Sequence, residues 1–244
     1  MTNTVTSMKW IEAASYEEMS KIAADMFVAQ LKKNPKSVFG MATGGTPEGF
    51  YKQLVERYKA GEISFADVQS FNLDEYIGLD PNSEMSYHYY MAHNLFNHVD
   101  IKEENWHVPA GNAEDLEAVA KAYDAAIEAA GGIDIQLLGI GVNGHIGFNE
   151  PGTPFTLGTN VVELTESTRE ANKIYFDSID DVPTHAITMG IQTIMQSREV
   201  VLLMSGASKQ EAYDRLRSGE VTEDFPASAL HNHPNVTVIY TGVK

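Results

Sequence analysis

A chain of 244 residues with a formal net charge of −17, 43% hydrophobic residues and no cysteine has the length of one large α/β domain or two small ones. The missing thiols exclude disulfides, a cysteine nucleophile and thiolate metal ligands, and the acidity makes nucleic acid and anionic membranes poor partners. No stretch approaches the ~20 apolar residues of a membrane span, and MTNTVTSMKW lacks the basic start and apolar core of a signal peptide, so a cytoplasmic protein is expected.

Along the chain, apolar runs alternate with amphipathic segments. Residues 16–33 carry Met19, Ile22, Ala23, Met26, Phe27 and Leu31 at helical spacing. A short buried strand is predicted over 37–42, followed by Thr43-Gly44-Gly45-Thr46-Pro47 and a helix from about Glu48 to Tyr58. Gln69 to Leu73 reads as a strand ending at Asp74-Glu75-Tyr76, and 83–97 and 113–129 read as helices. A strand over 133–140 leads into the loop GIGVNGHIGFNEPG, residues 139–152. The tract 151–185 has the least regular pattern and reads as a lid or a helical excursion. A short helix over 188–196, a strand from Glu199 to Met204, a turn over 206–209, a helix over 209–217 and a last strand from Asn235 to Tyr240 complete the chain. This alternation predicts a single α/β domain, a mostly parallel sheet with helices on both faces. Its strand C-terminal ends gather four polar loops, 43–47, 74–76, 141–150 and 205–209, on one edge.

Each loop has a chemistry. Thr43, Gly44, Gly45 and Thr46 combine backbone freedom, hydroxyl donors and a following helix N-terminus, which suits a phosphate; Pro47 fits the first helical position. The loop is neither a Walker sequence nor a GxGxxG. Asp74 and Glu75 end a strand whose alternation turns them to opposite sides, so only one can act as a base on a ligand. His145 can exchange a hydroxyl proton if its other ring nitrogen has a partner, for which Glu150 and Asn143 are the candidates. Lys209 and Arg169 are basic residues that could clamp a phosphate together with the 43–46 loop. His231-Asn232-His233, with no acidic or thiol neighbour, is a weak metal signal, Tyr87 to Met91 reads as packing, and no Gly-x-Ser-x-Gly elbow is present.

Together MATGGTP, FNLDEY, GIGVNGHIGFNEPG, TESTR and GASK resemble the glucosamine-6-phosphate deaminase family from about Met41 onward. The resemblance implies a modified Rossmann-like fold, shared with 6-phosphogluconolactonases and ribose-5-phosphate isomerases. It implies conversion of glucosamine 6-phosphate and water to fructose 6-phosphate and ammonium, with no metal or organic cofactor. Asp74 would then move the proton between C2 and C1, His145 would drive ring opening with Glu150 positioning or charging it, and Thr43, Gly44, Gly45, Thr46, Arg169 and Lys209 would hold the phosphate. The expected partner is a small-molecule sugar phosphate, and a homo-oligomer is left open. Many members carry Asp where this chain has Asn143, so Glu150 is expected to supply the negative charge behind His145. Regulated members use basic residues where this chain has Asn160 and Val162, and they extend further at the C-terminus, so hyperbolic kinetics without an activator are expected. The rivals are a lactonase on the same scaffold, which FNEPG and LDEY speak against, and a sugar-phosphate-sensing regulator. The regulator would need a DNA-binding helix-turn-helix, for which there is no room before Trp10.

Overall fold

The computed structural model describes residues 8–244; most of the segment MTNTVTSMKW, where no leader is expected, lies outside the described residues. In chain order the elements are β1 (Lys9–Glu12), α1 (Tyr16–Lys33), β2 (Val38–Met41), α2 (Glu48–Lys59), β3 (Gln69–Asn72), β4 (Asp74–Tyr76), α3 (Tyr87–Asn94), β5 (Trp106–His107), α4 (Leu116–Ala129), β6 (Ile135–Leu138), β7 (Asn160–Glu163), α5 (Glu166–Asn172), β8 (His185–Thr188), α6 (Ile191–Met195), β9 (Glu199–Ser205), α7 (Gln210–Ser218) and β10 (Val236–Thr241), joined by loops and short 3-10 turns.

Local chemistry sets the main boundaries. Ser15 caps α1 by accepting the Glu18 N–H, acidic Glu17 and Glu18 sit in the first turn and Lys32 and Lys33 in the last, as the helix dipole favours. The buried stripe of α1, Met19, Ala23, Phe27 and Leu31, lies against the sheet. There Phe27 meets Phe39 and Phe50 edge-on at 5.1 and 4.7 Å between ring centres. Every residue of β2, β6 and β10 is buried, as strands covered on both faces require.

Seven strands form an all-parallel sheet in the order β1-β10-β9-β6-β2-β3-β5, with flanking helices. From β2 the chain proceeds to β3 on one side, whereas from β6 it proceeds to β9 and β10 on the other. The loops leaving β2 and β6 therefore part at a topological switch point, where such sheets open a crevice. A second, antiparallel sheet, β4-β8-β7, stands over this edge.

The predicted strands and long helices are present, with differences that have local causes; the run expected as one strand ending at Asp74-Glu75-Tyr76 is divided between β3 of the parallel sheet and β4 of the antiparallel one. The segment 188–196 is not one helix: Thr188 ends β8, Met189 donates its N–H to the Leu73 carbonyl at 2.7 Å, and Gly190 is extended before α6 begins. The helix expected over 83–97 is α3 alone, since Leu95 leaves helical geometry and Phe96–His98 forms a 3-10 turn. The tract 151–185 is more ordered than its pattern suggests, containing β7, α5 and the start of β8. The strands β1 and β5 lie at the two sheet edges. Trp10 of β1 is held by the Arg217 guanidinium, 4.0 Å above its ring centre.

Candidate active site

The switch point opens into a cavity of about 480 Å³, within the usual range for a small-molecule site. Its wall includes Thr43, Gly44, Gly45 and Thr46 from the β2 loop, Asp74 from β4, His145 from the β6 loop and Lys209 before α7. Tyr87 and Tyr90 of α3 and Tyr175 after α5 close its sides.

The two halves of the site share a mount. Asp74 pairs with Thr188 of β8. The Thr188 hydroxyl accepts the Phe148 N–H at 3.2 Å, and the Asn149 side chain donates to the Met189 carbonyl at 2.9 Å. The base strand and the histidine loop are thus both fastened to β8.

Asp74 and Glu75 diverge. Glu75 turns away from the cavity and accepts the backbone N–H groups of Tyr76, Tyr87 and His88 at 2.9, 3.0 and 3.0 Å, closing the N-terminus of α3. Even so, burial raises its carboxyl above the usual range. The Asp74 side chain, buried in the wall, accepts no hydrogen bond and forms no ion pair among the described residues. Desolvation, with a smaller push from the charge of Glu75, lifts its carboxyl to about 8. Glu75→Gln should therefore move the Asp74 ionisation to lower pH. It should also cost about 1–3 kcal/mol of stability, because the amide cannot accept at both positions. A pH–rate profile and a denaturant titration read both effects; an unmoved ionisation would remove Glu75 as its neighbour in charge.

Behind His145 the polar groups form a chain whose order fixes a tautomer. The Thr168 hydroxyl of α5 donates to Glu150 Oε1. Glu150 Oε2 accepts from Asn143 Nδ2 at 3.0 Å, and Asn143 Oδ1 faces His145 Nδ1 at 2.7 Å while also accepting the His145 backbone N–H at 3.1 Å. An ionised Glu150 only accepts, so the amide must turn its NH₂ to Glu150 and its oxygen to the ring. His145 Nδ1 then carries the proton, and Nε2 keeps its lone pair for a ligand. Glu150 stands 4.0 Å from Nδ1 and reaches it through Asn143 rather than by direct contact. Burial lowers the imidazole's proton affinity, Glu150 opposes that shift and Lys209 adds to it. A side chain on Gly141 would lie 2.1 Å from the His145 ring, so the packing of the base requires glycine there.

Aspartate at position 143 would keep this tautomer and add negative charge beside the ring. Asn143→Asp should remain active and move the acidic limb of the pH–rate profile upward, since His145 must be neutral to accept a proton and a neighbouring carboxylate favours imidazolium. An unmoved limb or a dead protein would contradict the placement of Asn143.

The basic residues fare differently. Lys209 reaches the cavity, where its ammonium donates to the Ile140 carbonyl at 2.6 Å and burial lowers its proton affinity. Arg169, expected from the sequence to join the phosphate clamp, is not among the residues that line the cavity, although its neighbour Thr168 is. Its guanidinium donates to the carbonyls of Ile179 and Val182, both at 3.0 Å, and so ties α5 to the turn that precedes β8. A single step around the helix decides this: on α5, Thr168 and Asn172 face the cavity, and Arg169 faces the segment before β8. His231 and His233 do not converge; their Nε2 atoms face the carbonyls of Leu216 and Ser197. The bonds of Glu75 to the start of α3 and of Thr168 to Glu150 leave no mark in the sequence, because they join residues 12 to 18 positions apart.

A parallel sheet with a glycine-rich loop and a carboxylate–imidazole pair at its switch point has the layout of an α/β enzyme for a small-molecule substrate. Residues 12–239 match the model of the glucosamine-6-phosphate isomerase/6-phosphogluconolactonase family, and the chain belongs to that family. It is 64% identical to the glucosamine-6-phosphate deaminase of Lysinibacillus sphaericus over 97% of this chain and 100% of that one. It is 52% identical to glucosamine-6-phosphate deaminase 1 of Bacillus subtilis over 95% and 96%. A solved monomeric glucosamine-6-phosphate deaminase superposes with a TM-score of 0.95 at 52% identity, covering 96% of this chain and 97% of that one. A 6-phosphogluconolactonase from Thermotoga maritima shares the fold, with a TM-score of 0.76 at 19% identity, covering 97% of this chain and 100% of that one.

Proposed function

We propose that the protein deaminates glucosamine 6-phosphate with isomerisation, giving fructose 6-phosphate and ammonium. The observation that carries this reading is the state of Asp74. A buried carboxylate without a cation or a hydrogen-bond donor among the described residues is costly, and a ligand that brings a positive charge to it recovers the loss. A 2-ammonium sugar does so, whereas a lactone does not. The deaminase relatives at 52–64% identity support the same choice over lactone hydrolysis.

The residues divide the reaction between them. The 43–46 loop and Lys209 hold the phosphate. His145 Nε2 takes the proton of the anomeric hydroxyl and delivers one to the ring oxygen, which opens the sugar to the aldehyde. Asp74 then removes the proton on C2, made acidic by the adjacent aldehyde, while the aldehyde oxygen gains a proton at the expense of the 2-ammonium, and Asp74 returns its proton to C1. The resulting iminium at C2 adds water and expels ammonia, which leaves as ammonium with the proton released. Tyr175 stands at the cavity wall beside Gly45, and the tract 151–185 is read as a lid over the bound sugar.

The monomeric state described for the similar deaminase supports a monomer here rather than the homo-oligomer that the sequence left open. Asn160 is tied to the Gly158 carbonyl, and Val162 packs with the apolar group around Tyr76. Neither brings positive charge to β7, which supports unregulated kinetics. A phosphorylated substrate is retained inside cells, which supports a cytoplasmic site of action; no described helix is long and apolar enough to cross a membrane. The deciding experiment supplies glucosamine 6-phosphate and 6-phosphogluconolactone separately. Equal amounts of ammonium and fructose 6-phosphate from the first are expected, and lactone hydrolysis without ammonium release would refute the reading.

A further inference from the structure

We propose that Tyr16 and Tyr90 are positioning residues that hold the 43–46 loop in its anion-binding form and thereby set the cavity's affinity for phosphate. The inference rests on the reading of that loop as the phosphate cradle. A glycine-containing loop binds an anion when its N–H groups face inward and its carbonyls face away. The same glycines that permit this shape also permit others, so something outside the loop must select it.

Two phenols do so from opposite sides. The Tyr90 hydroxyl of α3 donates to the Gly44 carbonyl at 2.6 Å. The Tyr16 hydroxyl, on the first residue of α1, lies 2.8 Å from the Thr46 carbonyl and 3.1 Å from that of Gly45. Tyr16 itself accepts the Gly49 N–H at 2.9 Å, so its single proton is committed to the loop carbonyls. Three successive carbonyl oxygens are thus engaged on the outer side. The N–H groups of Gly44, Gly45 and Thr46 have no acceptor among the described residues, although all three residues line the cavity. Gly44 sits at φ +108°, a conformation that a side chain would resist. Tyr90 is held by an edge-on contact with Tyr51, whose own hydroxyl is fixed by Ala42 at the end of β2. Tyr90 therefore belongs to the packed body of the protein, and Tyr16 reaches the loop from the exposed start of α1.

Tyr16→Phe and Tyr90→Phe keep the rings and remove only the hydroxyls. The dissociation constant of inorganic phosphate is measured by its protection against thermal unfolding, and KM and kcat are measured with glucosamine 6-phosphate. For each variant the phosphate constant and KM should rise together by roughly five- to tenfold, the worth of about one hydrogen bond, with kcat at saturation within about twofold of the parent. Unchanged phosphate binding would overturn the proposal, as would a fall in kcat with phosphate binding intact. Because the phosphate titration needs no turnover, it still decides the matter if the protein fails to deaminate glucosamine 6-phosphate. A parent protein that binds no phosphate would remove the cradle reading and this proposal with it.

Discussion

Asp74→Asn is expected to lower turnover of glucosamine 6-phosphate by roughly 10²–10⁴-fold or more while leaving inorganic phosphate binding unchanged. The amide fills the same space but cannot take a proton from C2. The same substitution should stabilise the protein at high pH. The carboxyl titrates at about 8 in the folded chain against an ordinary value of 3.8. Between those values the folded state binds more protons than the unfolded state, so stability falls as pH rises. The loss begins near pH 4, is complete above about pH 8 and is absent in the variant. Melting curves from pH 5 to 9 should therefore show a gap that widens in favour of the amide variant and then levels off. A gap that does not change with pH would mean that Asp74 is solvated like an ordinary carboxylate. Near-normal turnover would remove it from the mechanism.

His145→Gln is the second large loss, again roughly 10²–10⁴-fold, but its signature differs. The imidazole acts on oxygen and Asp74 acts on carbon. Slowing ring opening should make that step limiting, so any effect of deuterium at C2 on the parent's turnover should shrink toward one in the variant. An isotope effect that grows instead would place His145 at the carbon step and exchange the two roles. The variant also leaves Asn143 without its ring partner. The orientation of the amide is set from the other side by Glu150, so the loss should appear in kcat and not in the phosphate affinity.

What can be read from the sequence follows from how far each signal reaches. The helix α1 and strands β2, β6, β9 and β10 carry their own periodicity or apolar density, and the loops at their ends carry glycine and hydroxyl residues in short runs. The strand β5 has two residues and β1 has four, two of them exposed, so neither has room for a pattern. The strands β7 and β8 lie in a tract of mixed polarity; β7 pairs with β8, and β8 in turn pairs with β4, a strand far earlier in the chain. The divergence of Asp74 and Glu75 is legible from strand alternation alone. Arg169 is a case of another kind. The residue type suits a phosphate, but its place on the α5 turn gives the guanidinium to two carbonyls. In the sequence Tyr16 is only a helix start and Tyr90 only packing, since nothing near them in the chain points to a loop 29 to 46 residues away.

The shared attachment of Asp74 and the histidine loop to β8 bears on which changes of length the molecule can absorb. Residues added at 153–157, between the histidine loop and β7, would leave the contacts of Thr188 and Met189 in place. A single residue deleted within β8 would not, because strand side chains alternate and a slip of one position reverses every facing. Thr188 would turn away from the Phe148 N–H, Asp74 would face a different partner, and both ends of the proton path would move together. A variant with this deletion would keep the seven-stranded sheet and lose the chemistry, so the length of β8 is tied to the site rather than to the main sheet.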